Sequence, residues 1–186
     1  METATIQKVL NGVNVENLLT SIYSFKQQPA LAKFKFRATN KWITGGHNRS
    51  RIKEFYGAGQ EDTQRTQTFV LDADEPVVLH SGDRGANPAE YVLHALAACL
   101  TTSIVYHAAV RNIRIEELES KIEGDVDVRG FTGAEPNVRK GYQNIRVTLR
   151  CKSDASAEQL EELSKFSPVW DTIANPVPVT VRVEKK

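Results

Sequence analysis

Cysteine is scarce in this 186-residue chain, which has two in all, Cys99 and Cys151. Two thiols so far apart make neither a disulfide framework nor a zinc-ligand spacing, and they suit a reducing, cytoplasmic setting. Excess charge is missing too. Lysine and arginine total 24 against 23 aspartates and glutamates, a formal net charge of +1. That is no electrostatic footprint for nucleic acid or an anionic membrane, and neither is expected as a partner. Met1-Glu2-Thr3-Ala4-Thr5-Ile6 lacks the basic and apolar regions of a signal peptide. There is no internal repeat, no low-complexity tract, no glycine-rich phosphate loop and no nucleophilic serine elbow. The histidines have no metal-ligand spacing: His94 and His107 are well separated on one predicted helix, and His47 and His80 fall in predicted loops. No metal or other cofactor is expected.

The composition is that of an ordinary globular protein, 40% hydrophobic and 25% charged, long enough for one domain with a real core. Apolar residues at 15, 18, 19, 22, 23 and 25 predict an amphipathic helix over 15–27, capped by Asn14 and ended by Gln27-Gln28-Pro29. Residues 1–32 are therefore expected to be a helical extension to a main domain over 33–186. Alternation predicts strands over 34–44, 49–55 and 66–72, with Gly45-Gly46-His47-Asn48 as a turn and Gly57 to Asp62 as a loop.

The longest uncharged stretch runs from Tyr91 to Val110. Its length raises the question of a bilayer span. Its alanines, together with His94, Thr101, Thr102, Ser103 and His107, favour a helix buried in protein. Asn87 is a good N-cap for it, Pro88 suits the first helical position, and Glu90 completes a capping-box spacing. The expected end is near Arg111-Asn112. Strands follow over 118–129 and 144–152, then a helix over 156–165 headed by Ser156. Ser167-Pro168 can start a further short helix. Val177 to Val183 alternates as a last strand, at an edge because of Pro178. The order of elements defines an α+β fold with mostly antiparallel sheet against a buried helix.

Cys99 lies near the middle of the uncharged helix. A cysteine there is either a small packing residue beside Ala97 and Ala98 or the reactive group of the protein. A thiol is nucleophilic only as thiolate, and Cys99 is three turns from its own helix N-terminus, so activation would have to come from another element. Cys151 shares a strand face with Ile145, Val147 and Leu149 and is expected in the core. It could resolve an oxidised Cys99 only with Cα atoms within roughly 7 Å.

The run Gly85-Ala86-Asn87-Pro88-Ala89-Glu90-Tyr91-Val92-Leu93-His94-Ala95-Leu96-Ala97-Ala98-Cys99 resembles the central helix motif of the OsmC/Ohr family, the osmotically induced and organic-hydroperoxide-resistance proteins. There an Asn-Pro helix start leads, twelve residues on, to a peroxidatic cysteine, and Asn87 to Cys99 has that spacing. The order of strands and helices over about 33–185 is similar as well. The resemblance implies a two-layer α+β fold completed in an intertwined homodimer, with active sites at the interface. It implies thiol-dependent reduction of organic hydroperoxides, through a sulfenic acid that a second cysteine and an external thiol return to thiol.

Two positions depart from the family pattern. The family's second cysteine, in a Cys-Pro pair, matches Ser167-Pro168, where a hydroxyl forms no disulfide. The family glutamate matches Ala89. Glu90 is next to it, about 100° around the helix, and suits the capping box. Ser167 can hydrogen-bond Cys99 or cap the helix that follows. The family arginine that holds the thiolate matches Arg49 or Arg51, with Arg37 behind them. The resemblance thus implies a redox or stress-response protein that, if an enzyme, is a one-cysteine peroxidase acting through Cys99, with Ser167, Glu90, Arg51 and Arg49 as site candidates and an external thiol as reductant. The alternative is a non-peroxidatic relative that binds a small hydrophobic ligand in the dimer-interface pocket. Acyl transfer or hydrolysis lacks a general base.

Overall fold

The computed structural model describes residues 9–185. Its elements in chain order are β1 (Val9–Leu10), β2 (Val13–Asn14), α1 (Val15–Gln27), β3 (Lys35–Phe36), β4 (Thr39–Thr44), β5 (His47–Ile52), β6 (Phe55–Gly57), β7 (Gln60–Glu61), β8 (Phe69–Ala73), α2 (Pro88–Val110), β9 (Ile115–Asp125), α3 (Val128–Thr132), β10 (Asn144–Ser153), α4 (Ala157–Ser164) and α5 (Pro168–Ala174). This is the expected α+β protein with antiparallel sheets. The contacts fall into two compact units, residues 9–13 with 94–185, and residues 14–93.

The first unit has an apolar core. Ile104 and Ala108, one turn apart on α2, are buried with Leu163 of α4, and Ile113, Ile115, Leu118, Leu149 and Leu160 pack around them. Burial of a side chain such as Ile104 contributes about 1.5–3 kcal/mol. β9 and β10 form an antiparallel ribbon that sorts side chains by face. Cys151 opposes Leu118 and Val147 opposes Ile122 on one face. Lys152 opposes Glu117, Arg150 opposes Glu119 and Arg146 opposes Glu123 on the other. Opposite charges across the strands stabilise the solvent face, while the apolar pairs turn to α2 and α4. Cys151 is thus on the apolar face, as the alternation predicts.

Asn11 ties the N-terminal hairpin to this unit. Its side-chain amide donates to the Ile113 carbonyl (2.9 Å) and its Oδ1 accepts from the Ile115 N–H (2.9 Å). The β1–β2 turn is Asn11-Gly12, both with left-handed φ, 53° and 77°. This is the Asn-Gly signature of a two-residue hairpin.

Two expectations for the first unit are corrected. Residues 126–129 do not extend β9. Asp127 accepts a hydrogen bond from the Arg129 N–H, caps α3, and Gly133 ends it in left-handed conformation. A short-range cap outweighs the alternation of Val126 and Val128. Residues 177–183 pair with no strand among the described residues; Val179, Val181 and Val183 are 81–83% exposed. The end of α2 at Val110 is close to the expected Arg111-Asn112, with Asn112 following in left-handed conformation.

In the second unit, α1 runs over the expected range, with Asn14 accepting from the Asn17 N–H. β4, β5 and β8 make the expected three-stranded meander. The predicted strand over 34–44 is split: Lys35–Phe36 pairs with β6 in a second sheet. Residues 57–61, expected as a loop, make a tight hairpin with Ala58 and Gly59 both at positive φ. His47 and Asn48 lie in β5, not in a turn, because they continue the ladder with β4. Aromatic rings gather on the β3–β6 sheet: Phe34 contacts Phe25, Phe36 and Phe55 at centroid distances of 6.0–6.4 Å.

Candidate functional site

The N-terminus of α2 carries the Glu90 half of a capping box, with the Asn87 side chain capping the second helical residue and not the third. The Asn87 N–H donates to the Glu90 carboxylate (2.8 Å), and Asn87 Oδ1 accepts from the Ala89 N–H (2.7 Å). The Asn87 side-chain amide also donates to Glu75. Glu90 therefore serves the helix start. Tyr91 extends the anchorage, its hydroxyl donating to the Asp72 carbonyl (2.7 Å). Gly85 precedes the helix where a Cβ would stand 2.2 Å from the Asp72 carbonyl oxygen, so only glycine fits.

Cys99 is half-buried and reduced. At 1.5 Å rise per residue it sits roughly 16 Å along the helix from Pro88, beyond the reach of the N-terminal dipole. Its helical neighbours are Leu96 and Ser103, both buried, with Ala95 and Thr102. His94, five positions earlier, projects away from it. Cys151 is likewise reduced, and burial pushes its thiol up, away from thiolate at neutral pH.

Ser167 is 1% exposed. Its hydroxyl accepts from the Trp170 N–H (3.2 Å) as the N-cap of α5, with Pro168 in the first turn. Of its two expected roles the capping one is realised, and no hydrogen bond joins Ser167 to Cys99 among the described residues. The preceding Phe166 stacks on His107 at a centroid distance of 4.0 Å. Arg111 donates to His107 Nδ1 (3.0 Å). Desolvation first, then the Arg111 charge, pushes His107 down, so the ring is held neutral with its proton on Nε2.

The arginine candidates have separate fates. Arg37 makes a two-pronged pair with Glu61 (2.7 and 2.8 Å). Arg49 pairs in the same way with Asp72 (2.9 and 3.1 Å). The Arg49 hydrogen bonds first, then one from His47 (2.9 Å), hold the Asp72 carboxyl below its usual range. Asp72 gives no sequence signal as Arg49's partner, since it lies 23 residues away on β8. The Arg51 side chain has no hydrogen bond or ion pair among the described residues. Arg49 and Arg51 share a groove on the β4–β5 face with Lys41 and Trp42.

A second polar hub was not anticipated either. Asp74 is fully buried and accepts from the Ser81 hydroxyl and from the backbone N–H groups of Glu75 and Arg84. Ser81 Oγ accepts in turn from the Gly46 N–H (3.2 Å). These bonds hold the loop before α2 to the β4–β5 turn. The only sequence signal was the polar composition of residues 74–85.

The class defined by these features is an α+β protein with a half-buried cysteine on a capped central helix. The chain belongs to the OsmC-like protein family, whose model matches residues 80–182, more than half of it. The fold is similar to that of an OsmC-like protein from Mycoplasma pneumoniae, at 19% identity and a TM-score of 0.57, covering 76% of this chain and 89% of that one. It is also similar to an OsmC-like protein of unknown function from Vibrio cholerae, at 15% identity and a TM-score of 0.51, covering 77% of this chain and 93% of that one. Among curated proteins none matches this chain.

Proposed function

We propose that this chain is a redox and stress-response protein that reduces organic hydroperoxides through Cys99 alone. The observation that carries the reading is the position of Cys99, half-buried twelve residues after the capping Asn87 of α2 in an OsmC-like chain, with Ser167 and not a second thiol before Pro168. The Cys99 thiolate attacks the terminal oxygen of the hydroperoxide. The O–O bond breaks, the departing alkoxide takes a proton and leaves as alcohol, and Cys99 becomes a sulfenic acid. An external thiol then displaces water from the sulfur to form a mixed disulfide. A second external thiol releases Cys99 and carries away the new disulfide. The protonated Cys151 is a poor competitor for this step.

Two unpaired thiols favour a reducing, cytoplasmic setting. A homodimer is favoured by the apolar surface the single chain leaves uncovered, above all Val179, Val181 and Val183, which alternate as a strand without a partner. The test is sulfenic-acid trapping on Cys99 with one equivalent of cumene hydroperoxide, Cys99→Ser serving as the blank. Trapping well ahead of free cysteine is expected. Oxidation no faster than that of a free thiol would sink the peroxidase reading.

A further inference from the structure

The unit that holds α2, β9, β10, α4 and α5 contains an open-sided cavity of about 590 Å³, within the size range of small-molecule sites. Leu100 and Ile104 of α2, 3% and 1% exposed, belong to its wall, as do Leu149 and Cys151 of β10. Ala155 and Ala157 keep it open, because larger side chains there would fill it. Cys151, pushed up by burial, contributes a protonated and weakly polar surface. Cys99 is not among the lining residues.

Two features of the wall set the charge of an occupant. Glu161 is its one carboxylate, and no lysine or arginine lines the cavity. Among the described residues Glu161 has no ion pair within 4 Å; the neighbouring Lys165 ammonium pairs with Glu162 and feels the Glu161 charge more weakly, so two carboxylates face one ammonium there. Trp170, 40% exposed, lines the same cavity. A carboxylate only partly compensated and an indole at an apolar pocket favour a cation over an anion.

We infer that this cavity binds a small lipophilic ammonium compound, its hydrocarbon part against Leu100, Ile104 and Leu149 and its charged head at Glu161 and Trp170. The site does not depend on peroxide reduction by Cys99. The rival occupant is a second copy of the chain laid over the opening.

The test uses the full chain carrying Trp42→Phe, which leaves Trp170 as the one tryptophan. It is titrated at neutral pH with n-octylammonium, n-octanol and n-octanoate while Trp170 emission is followed. Octylammonium is expected to bind about fivefold more tightly than octanol, the scale of one exposed charge pair, with octanoate weakest. Glu161 is exposed, so Glu161→Gln keeps the fold. It is expected to bring octylammonium to within about twofold of octanol and to leave octanol unchanged. A preference for octylammonium undiminished in the Glu161→Gln chain, or octanoate binding as well as octylammonium, overturns the inference. So does the absence of any saturable change, and sedimentation as a dimer with Trp170 shielded from acrylamide would then assign the cavity to the second copy.

Discussion

The two compact units are held together by different physics. The unit of α2, β9, β10 and α4 has an apolar centre: Leu96, Leu100, Ile104, Ala108, Ala109 and Leu163 are all buried. In the unit spanning residues 14–93, Val15 is the one large hydrophobic that reaches the same burial, and it is joined there by His47 and Asp74. Phe36, Trp42, Val77 and Val78 of that unit are 69–80% exposed. One unit is organised by hydrophobic burial, which is additive and tolerant of detail. The other is organised by hydrogen bonds to two carboxylates, which depend on geometry and on ionisation. Both units leave large apolar side chains exposed, which agrees with the proposed second copy.

The contrast can be broken by mutation. The largest effect is expected from Ile104→Ala, a loss of about 2–5 kcal/mol in denaturant unfolding, because the cavity opens in the middle of the apolar core. Gly85→Ala is expected to cost about 1–3 kcal/mol, since its Cβ meets the Asp72 carbonyl and that backbone must shift. If Gly85→Ala proved the more damaging of the two, the polar unit and not the apolar core would dominate the stability of the chain.

The smallest effect is on pH dependence. The Asp72 carboxyl is held below its ordinary value of 3.8 by Arg49 and then His47. Its ionised form therefore favours folding above that value, and the contribution is lost as pH falls below it. Asp72→Asn is expected to flatten the stability curve below about pH 4 while leaving its shape above pH 5 unchanged. An identical acid limb in wild type and variant would show that Asp72 is not a source of acid sensitivity. Asp74, depressed mainly by the Ser81 hydroxyl, would then be the next carboxylate to test.

The parts of the fold legible in the sequence are those decided within a few residues. Asn14, Asn87 with Glu90, Ser156 with Gln159, and Ser167 each cap the helix that follows them, because a side-chain oxygen two or three residues from an orphan N–H needs no tertiary partner. The apolar face of β10 followed from alternation. Further local signals lie in Asn11-Gly12, which marks a hairpin, and in Asp127 with Gly133, which bracket a short helix. Where two local signals competed, at 126–129, the cap prevailed over the period. Val177–Val183 has the pattern of a strand and no ladder, since a strand exists only with a neighbour to bond it.

The candidate site divides along the same line. That Cys99 lies on a capped helix is legible along the chain because helix periodicity and capping are local, and its register to Asn87 and the absence of a second thiol before Pro168 follow from direct comparison with the family motif. The folded chain was needed to show that Arg49 belongs to Asp72 and that Cys151 faces an apolar cavity with Glu161 at its wall. Those pairings join residues on different elements, where burial and the geometry of the fold choose a partner that spacing along the chain does not reveal.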